Sequence, residues 1–393
     1  MVSRRTFVKA LGAGGAGMMA APLLAARGRE AEAAEIVLAS PTELSHHVAA
    51  RARRGAPGAI RIDSNENPTG PGAAAMERLA GAFGEIPRYP DAPADELRAA
   101  IATLHGTDEK HVVLGCGSSE LLRMAVYAHC APGRALVTAS PTFEDAAAHA
   151  ERLGAAVRRV RVRPDLSVDL GGMAREAPGA GLVYLCNPNN PTGGAHSGAD
   201  VAEFVRAVLR SDRDVVVLVD EAYHEYVDAP GYASVAALAL AEPRVIVART
   251  FSKLHGLAGL RVGYALGHPT AIARLSPQQL PVNVNVLAAN AALGALSDPA
   301  HVEAERARNR EVRDFTRTWF EGAGFAVAPA AANFLMADVR RPAKEFQASC
   351  KKLGVLVGRP FPPLDSWARV SMGTMEEMQK AVGVFGEVLG ARG

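Results

Sequence analysis

Four cysteines in 393 residues, Cys116, Cys130, Cys186 and Cys350, stand far apart, with no Cys-x-x-Cys pair and no histidine at ligand spacing. That scatter argues against a metal site or a disulfide framework as the organising device. Net charge is nearly absent as well. Lys and Arg number 43 against 41 Asp and Glu, so no overall field draws the chain to nucleic acid or to an anionic membrane. Internal repeats are missing, low-complexity sequence is confined to the N-terminus, and no apolar run is long and unbroken enough to sit stably in a bilayer. A small molecule is left as the default partner. What the chain does have is apolar mass: at 49% hydrophobic residues it can bury a large core, and its length suits about two domains at ~150 residues each.

The first residues place Arg4 and Arg5 ahead of Phe7 and Lys9, then enter an uncharged Gly, Ala, Leu and Met stretch ending at Ala26. This resembles a twin-arginine export signal. Gly12, Gly14, Gly15, Gly17 and Pro22 break the apolar stretch, which suits a cleavable signal better than an anchor, and Ala31-Glu32-Ala33 offers a small-x-small cleavage site. A periplasmic or secreted location is therefore expected, a basic start on a cytoplasmic protein being the alternative. Residues 1–35 are set aside as a leader.

From about residue 72 to 280, short apolar runs alternate with helical patterns. "VVLG" (112–115), "ALVTAS" (135–140), "LVYLCNP" (182–188), "DVVVLVDEAY" (214–223), "RVIVART" (244–250) and "RVGYALG" (261–267) lack polar alternation, as strands buried on both faces do. Between them, "SSELLRMAVYAHC" (118–130) and "GADVAEFVRAVLRS" (198–211) carry helical periodicity. Such alternation predicts an α/β fold with a large, doubly wound, mostly parallel sheet domain over residues 72–280. After Pro281 the texture shifts to a long charged helical pattern at 300–324 and then to mixed strands and helices, which predicts a smaller α+β domain over 281–393. Residues 36–71, with no comparable strand series, are expected to pack with that smaller domain.

Polar residues gather where the strands end, the edge at which open α/β sheets bind ligands. "GCGSSE" follows a strand and opens a helix, so the amides of Gly117, Ser118 and Ser119 can face an anion. "NPNNPTGG" makes a stiff turn from which Asn190 can reach the same crevice. "VVVLVD" delivers Asp220 at the end of an apolar strand, where an unpartnered carboxylate is costly and a protonated ring nitrogen or a salt bridge would satisfy it. "TFSKLHGLAGLRVGY" then sets Lys253 after another strand, with Ser252 and Arg261 close in sequence. A lysine partly withdrawn from water beside a cation such as Arg261 titrates low enough to offer the neutral amine that condenses with aldehydes. Ser119, Ser252 and Arg261 together suit a phosphate.

An amine, a carboxylate for a ring nitrogen and a phosphate cup describe a pyridoxal 5'-phosphate site. Over roughly residues 60–390 the chain resembles the fold-type I aminotransferases of class I/II, and within them the histidinol-phosphate aminotransferase group, through "NENP", "RYPD", "NPNNPTG", "DEAY", "SKLHGLAGLRVGY" and "RVSMGT". The resemblance implies that Lys253 holds the cofactor and moves the substrate proton, that Asp220 keeps the pyridine nitrogen protonated, and that Asn190 and Tyr223 bond the phenolic oxygen. It also implies that Phe143 stacks on the ring, that Arg369 clamps the substrate carboxylate, and that Asn65 and Arg359 belong to the substrate site. Tyr89 of "RYPD" would reach the neighbouring subunit's cofactor phosphate, which implies a homodimer. At the position after "NENP", where those enzymes carry an aromatic, this chain has Thr69. The reaction implied is transfer of an amino group from an L-amino acid, or an amino phosphate such as histidinol phosphate, to a 2-oxo acid. Decarboxylation, elimination or oxidation on the same cofactor is the alternative.

Overall fold

The computed structural model describes residues 58–391. Arg4, Arg5 and the rest of the expected leader lie outside the described residues. In chain order the elements are β1 (Ile60–Ile62), α1 (Ala73–Gly81), α2 (Asp91–Leu104), β2 (Val112–Gly115), α3 (Ser118–His129), β3 (Ala135–Ser140), α4 (Asp145–Arg152), β4 (Val157–Arg161), α5 (Leu170–Glu176) and β5 (Ala180–Cys186). They continue with α6 (Gly198–Ser211), β6 (Val216–Asp220), α7 (Ala236–Ala241), β7 (Val245–Thr250), β8 (Gly263–Gly267), α8 (Pro269–Leu275), α9 (Val286–Leu296) and α10 (Pro299–Gly322). The last are β9 (Phe334–Asp338), α11 (Ala343–Lys352), β10 (Val355–Val357), β11 (Trp367–Ser371) and α12 (Met375–Leu389).

Seven strands form one sheet in the order β2-β8-β7-β6-β5-β3-β4. Only β8 runs against the rest, pairing antiparallel with both β2 and β7, which makes the sheet mostly parallel. Every residue of β5, β6 and β7 is buried, because helices cover both faces and leave no side of these strands to water. Each valine or leucine so withdrawn contributes about 1.5–3 kcal/mol. One strand of this sheet was not expected from sequence: β4, "VRRVR", is an edge strand whose arginines keep it from reading as apolar. Charge at a sheet edge guards against pairing with another chain.

The core of the large sheet layer reaches past residue 281. Helix α9 is apolar nearly all round, and Ala288, Ala291, Ala292 and Leu293 join the same cluster as Val217 and Val247. Beyond it, β9 pairs antiparallel with β11, and β1 pairs parallel with β10, so Ile62 from the start of the described chain shares a core with Phe346, Val355 and Phe385. A capping box, in which Thr374 and Glu377 satisfy each other's backbone amides, starts α12.

Candidate active site

A cavity of about 610 Å³ opens where β5, β6 and β7 end, and strands β10 and β11 add Val357 and Arg369 to its lining. The terminal residue of each central strand faces it: Cys186, Asp220 and Thr250. Parallel strands that stop together leave their ends to loops, and the sequence spends its polar residues there.

Asp220 is 2% exposed. Its Oδ1 accepts from the Ala222 amide at 3.1 Å and its Oδ2 from the Tyr184 hydroxyl at 2.9 Å. Burial raises its carboxyl to about 6, opposed by those two hydrogen bonds and by Lys253. Lys253 lines the same cavity and, among the described residues, makes no ion pair; its Nζ lies 5.7 Å from the centre of the Tyr223 ring. Burial lowers its ammonium to about 8, and Arg369 is the strongest neighbouring cation pushing the same way. Arg261, the neighbour expected from sequence, acts in that direction too but contributes less than Arg369. Its guanidinium lies instead with the serine cup.

That cup is built around a glycine. Gly117 has φ +72°, and a Cβ there would stand 2.3 Å from Arg261 Nη2, so only a residue without a side chain lets the guanidinium reach the start of α3. Arg261 Nη1 donates to Ser252 Oγ at 3.3 Å and to the Ala258 carbonyl at 2.9 Å. Ser118 and Ser119, the first residues of α3, line the cavity beside it.

Across the cavity, Arg369 Nη1 donates to Asn190 Oδ1 at 2.7 Å and Nη2 to the Asp63 carbonyl at 2.8 Å, while its buried Nε has no partner. The guanidinium carbon lies 4.8 Å from the centre of the Phe361 ring, and that of Arg359 lies 4.3 Å from the same ring. Arg359 Nη2 also donates to Glu144 Oε2 at 2.5 Å, just ahead of α4. Asn65 holds φ 55°, a left-handed backbone that asparagine tolerates. Its amide nitrogen Nδ2 donates to the Tyr223 hydroxyl at 3.0 Å, and Ser371 donates to its Oδ1 at 2.7 Å. Phe143 lines the cavity, half-buried.

Of the residues given a role in the site from sequence, Tyr89 stands away from the cavity lining and the Gly117 turn, 81% exposed. Thr69 also lies outside it, its hydroxyl donating to Asn67 Oδ1 at 2.6 Å. Two residues escaped the sequence reading. Phe361 is hidden in a proline-rich loop with no pattern to mark it. Tyr184 does carry a signal, as the one residue with a polar tip in the apolar run "AGLVYLC".

Residues 57–385 match the family described as aminotransferase class I and II. The chain belongs to that family. This aminotransferase is 37% identical over 334 residues to the histidinol-phosphate aminotransferase of Moorella thermoacetica, spanning 84% of this chain and 85% of that one. It is 36% identical over 335 residues to that of Symbiobacterium thermophilum, spanning 84% and 91%. Among solved structures, it is similar to the histidinol-phosphate aminotransferase of Sinorhizobium meliloti in complex with pyridoxal-5'-phosphate, with a TM-score of 0.79 at 27% identity over 88% of this chain and 94% of that one. The aminotransferase therefore has the fold-type I architecture, and its cofactor is pyridoxal 5'-phosphate.

The residues present fit that cofactor. A glycine-floored cup of three serines and an arginine suits its phosphate, a buried carboxylate suits its ring nitrogen, and a lysine with a lowered ammonium suits its aldehyde. When bound, pyridoxal phosphate supplies an electrophilic carbon for amines and a sink for the electrons of a broken Cα–H bond.

Proposed function

We propose that the amino donor of this aminotransferase is a phosphate monoester of the histidinol phosphate kind, with a 2-oxo acid as acceptor. One observation carries the choice: Arg359 and Arg369 both lie against Phe361 on one cavity wall, facing the strand ends that carry Asp220 and Lys253. Two guanidiniums that close repel each other, and Arg359 contributes to holding Arg369 down to about 10, after burial. A dianionic phosphate relieves that repulsion more fully than one carboxylate does. The names of the relatives at 36–37% identity agree with this reading. Since Thr69 lies outside the cavity lining, Arg359 and Phe361 take over the contact that an aromatic after "NENP" would make.

In this reading Lys253 holds the cofactor and moves a proton between the substrate Cα and the cofactor C4′. Asp220 keeps the ring nitrogen protonated. Tyr223 and the Asn190 amide contact the phenolic oxygen, Phe143 covers the ring, and Gly117, Ser118, Ser119, Ser252 and Arg261 enclose the phosphate. Arg369 grips the donor's anion through the edge that carries its free Nε, and Asn65 holds Tyr223 in place. Tyr89, exposed on this chain, completes the phosphate site of a second copy, so the active unit is a homodimer. We also propose export through the paired arginines Arg4 and Arg5, which precede Phe7, Lys9 and an uncharged stretch ending at Ala26.

The deciding assay pairs 2-oxoglutarate with L-histidinol phosphate, L-histidine, L-phenylalanine and L-aspartate in turn. Histidinol phosphate is expected to give the highest kcat/KM, and Arg359→Gln to lower that value while sparing phenylalanine. Turnover of the amino acids without turnover of the phosphate ester would overturn the substrate assignment. Lys253→Ala is expected to lose roughly 10²–10⁴-fold in rate along with the visible band of the bound cofactor.

A further inference from the structure

Asp220 is placed by more than its own strand. Tyr184 and Cys186 lie on the same face of β5, two residues apart, and Cys186 is the direct cross-strand partner of Asp220 on β6. The Tyr184 ring is thus a diagonal neighbour of the carboxylate, 1% exposed, with its hydroxyl 2.9 Å from Asp220 Oδ2. The other oxygen takes the Ala222 amide from its own chain turn. Tyr184 is the sole side chain among the described residues that hydrogen-bonds Asp220.

We infer that Tyr184 is a positioning residue for the reaction: its hydroxyl fixes the plane of the Asp220 carboxylate and keeps it a carboxylate so that it can hold the cofactor's ring nitrogen. The inference rests on the assignment of Asp220 to that nitrogen. A carboxylate cut off from water needs donors to stay ionised, and each donor to the charged form favours it. Asp220 has two fixed donors, and Tyr184 is the one that substitution can remove without touching the backbone. Burial holds the Tyr184 phenol protonated, since its own ionisation is pushed well above the ordinary tyrosine range, so it donates rather than accepts. The same hydroxyl leaves Oδ1 and Oδ2 each with one donor, so the carboxylate cannot rotate freely toward Lys253. A tyrosine here costs the core little, because the rest of the ring packs with Leu182 and Leu218 in the apolar cluster.

The test separates positioning from simple core packing by using two ligands that differ at one atom. Apo protein is titrated with pyridoxal phosphate and with its benzenoid analogue, in which CH replaces the ring nitrogen. Tyr184→Phe keeps the ring and removes one oxygen. It is expected to weaken pyridoxal phosphate by about tenfold, the scale of one hydrogen bond to a charged group, and to leave the analogue unchanged. It is also expected to lower kcat with little change in KM. Equal weakening of both ligands, or of neither, would overturn the role given to Tyr184. Asp220→Asn run alongside shows which assignment fails: if it discriminates between the ligands and Tyr184→Phe does not, Tyr184 alone is wrong, and if Asp220→Asn does not discriminate, the nitrogen contact itself falls and the inference with it.

Discussion

Lys253 titrates near the pH at which an amine becomes useful, and the causes can be separated. With its ammonium lowered to about 8, about a tenth of it is neutral at pH 7, against a negligible fraction for an ordinary lysine. Burial is the larger cause and Arg369 the next. Capture of pyridoxal by the apo protein should therefore rise with pH to a midpoint near 8. In Arg369→Gln the midpoint should move up, because a cation that disfavours the ammonium has gone; an unmoved midpoint would assign the whole effect to burial. At this scale the sequence was legible where residues bracket a strand: Asp220, Ser252 and Lys253 close or follow one, and Arg261 precedes another. Which cation acts most on Lys253 was not legible. Arg369 lies more than a hundred residues further along the chain and meets Lys253 only where β11 closes on the same cavity.

Among the elements, the central strands could be read because burial on both faces leaves few polar residues before the loop, Arg249 of β7 being held by Glu221 at 2.9 Å. Edge strand β4 could not be, since three of its five residues are arginine. Helix α9 shows a different limit. The surface it serves depends on a close approach that no sequence pattern marks: a Cβ on Gly294 would stand 2.3 Å from the Ala74 carbonyl of α1. Gly294→Ala must push the two helices apart, at a cost of about 1–3 kcal/mol. Chemical denaturation should show a lower midpoint with the slope unchanged, whereas the same substitution at Gly383 on α12, where no atom lies within 4 Å, should be neutral or stabilising.

For the whole molecule, the exposed Tyr89 allows a test of assembly that needs no structure of the dimer. If Tyr89 serves the neighbouring site, Tyr89→Phe and Lys253→Ala damage different halves of one active centre. Mixing the two variants under conditions that exchange subunits should yield hybrids with one intact site and more activity than either parent; no gain on mixing would place Tyr89 outside the partner's site. The cavity itself has a consequence in time. Its walls are drawn from Asp63 near the start of the described chain and Arg369 near its end, with the lysine between them. A chain emerging from the ribosome can finish the large sheet long before β11 exists. At that stage the site lacks the wall that carries Arg369, so a chain cut before β11 should hold Lys253 and Asp220 in a site left open to water on that side.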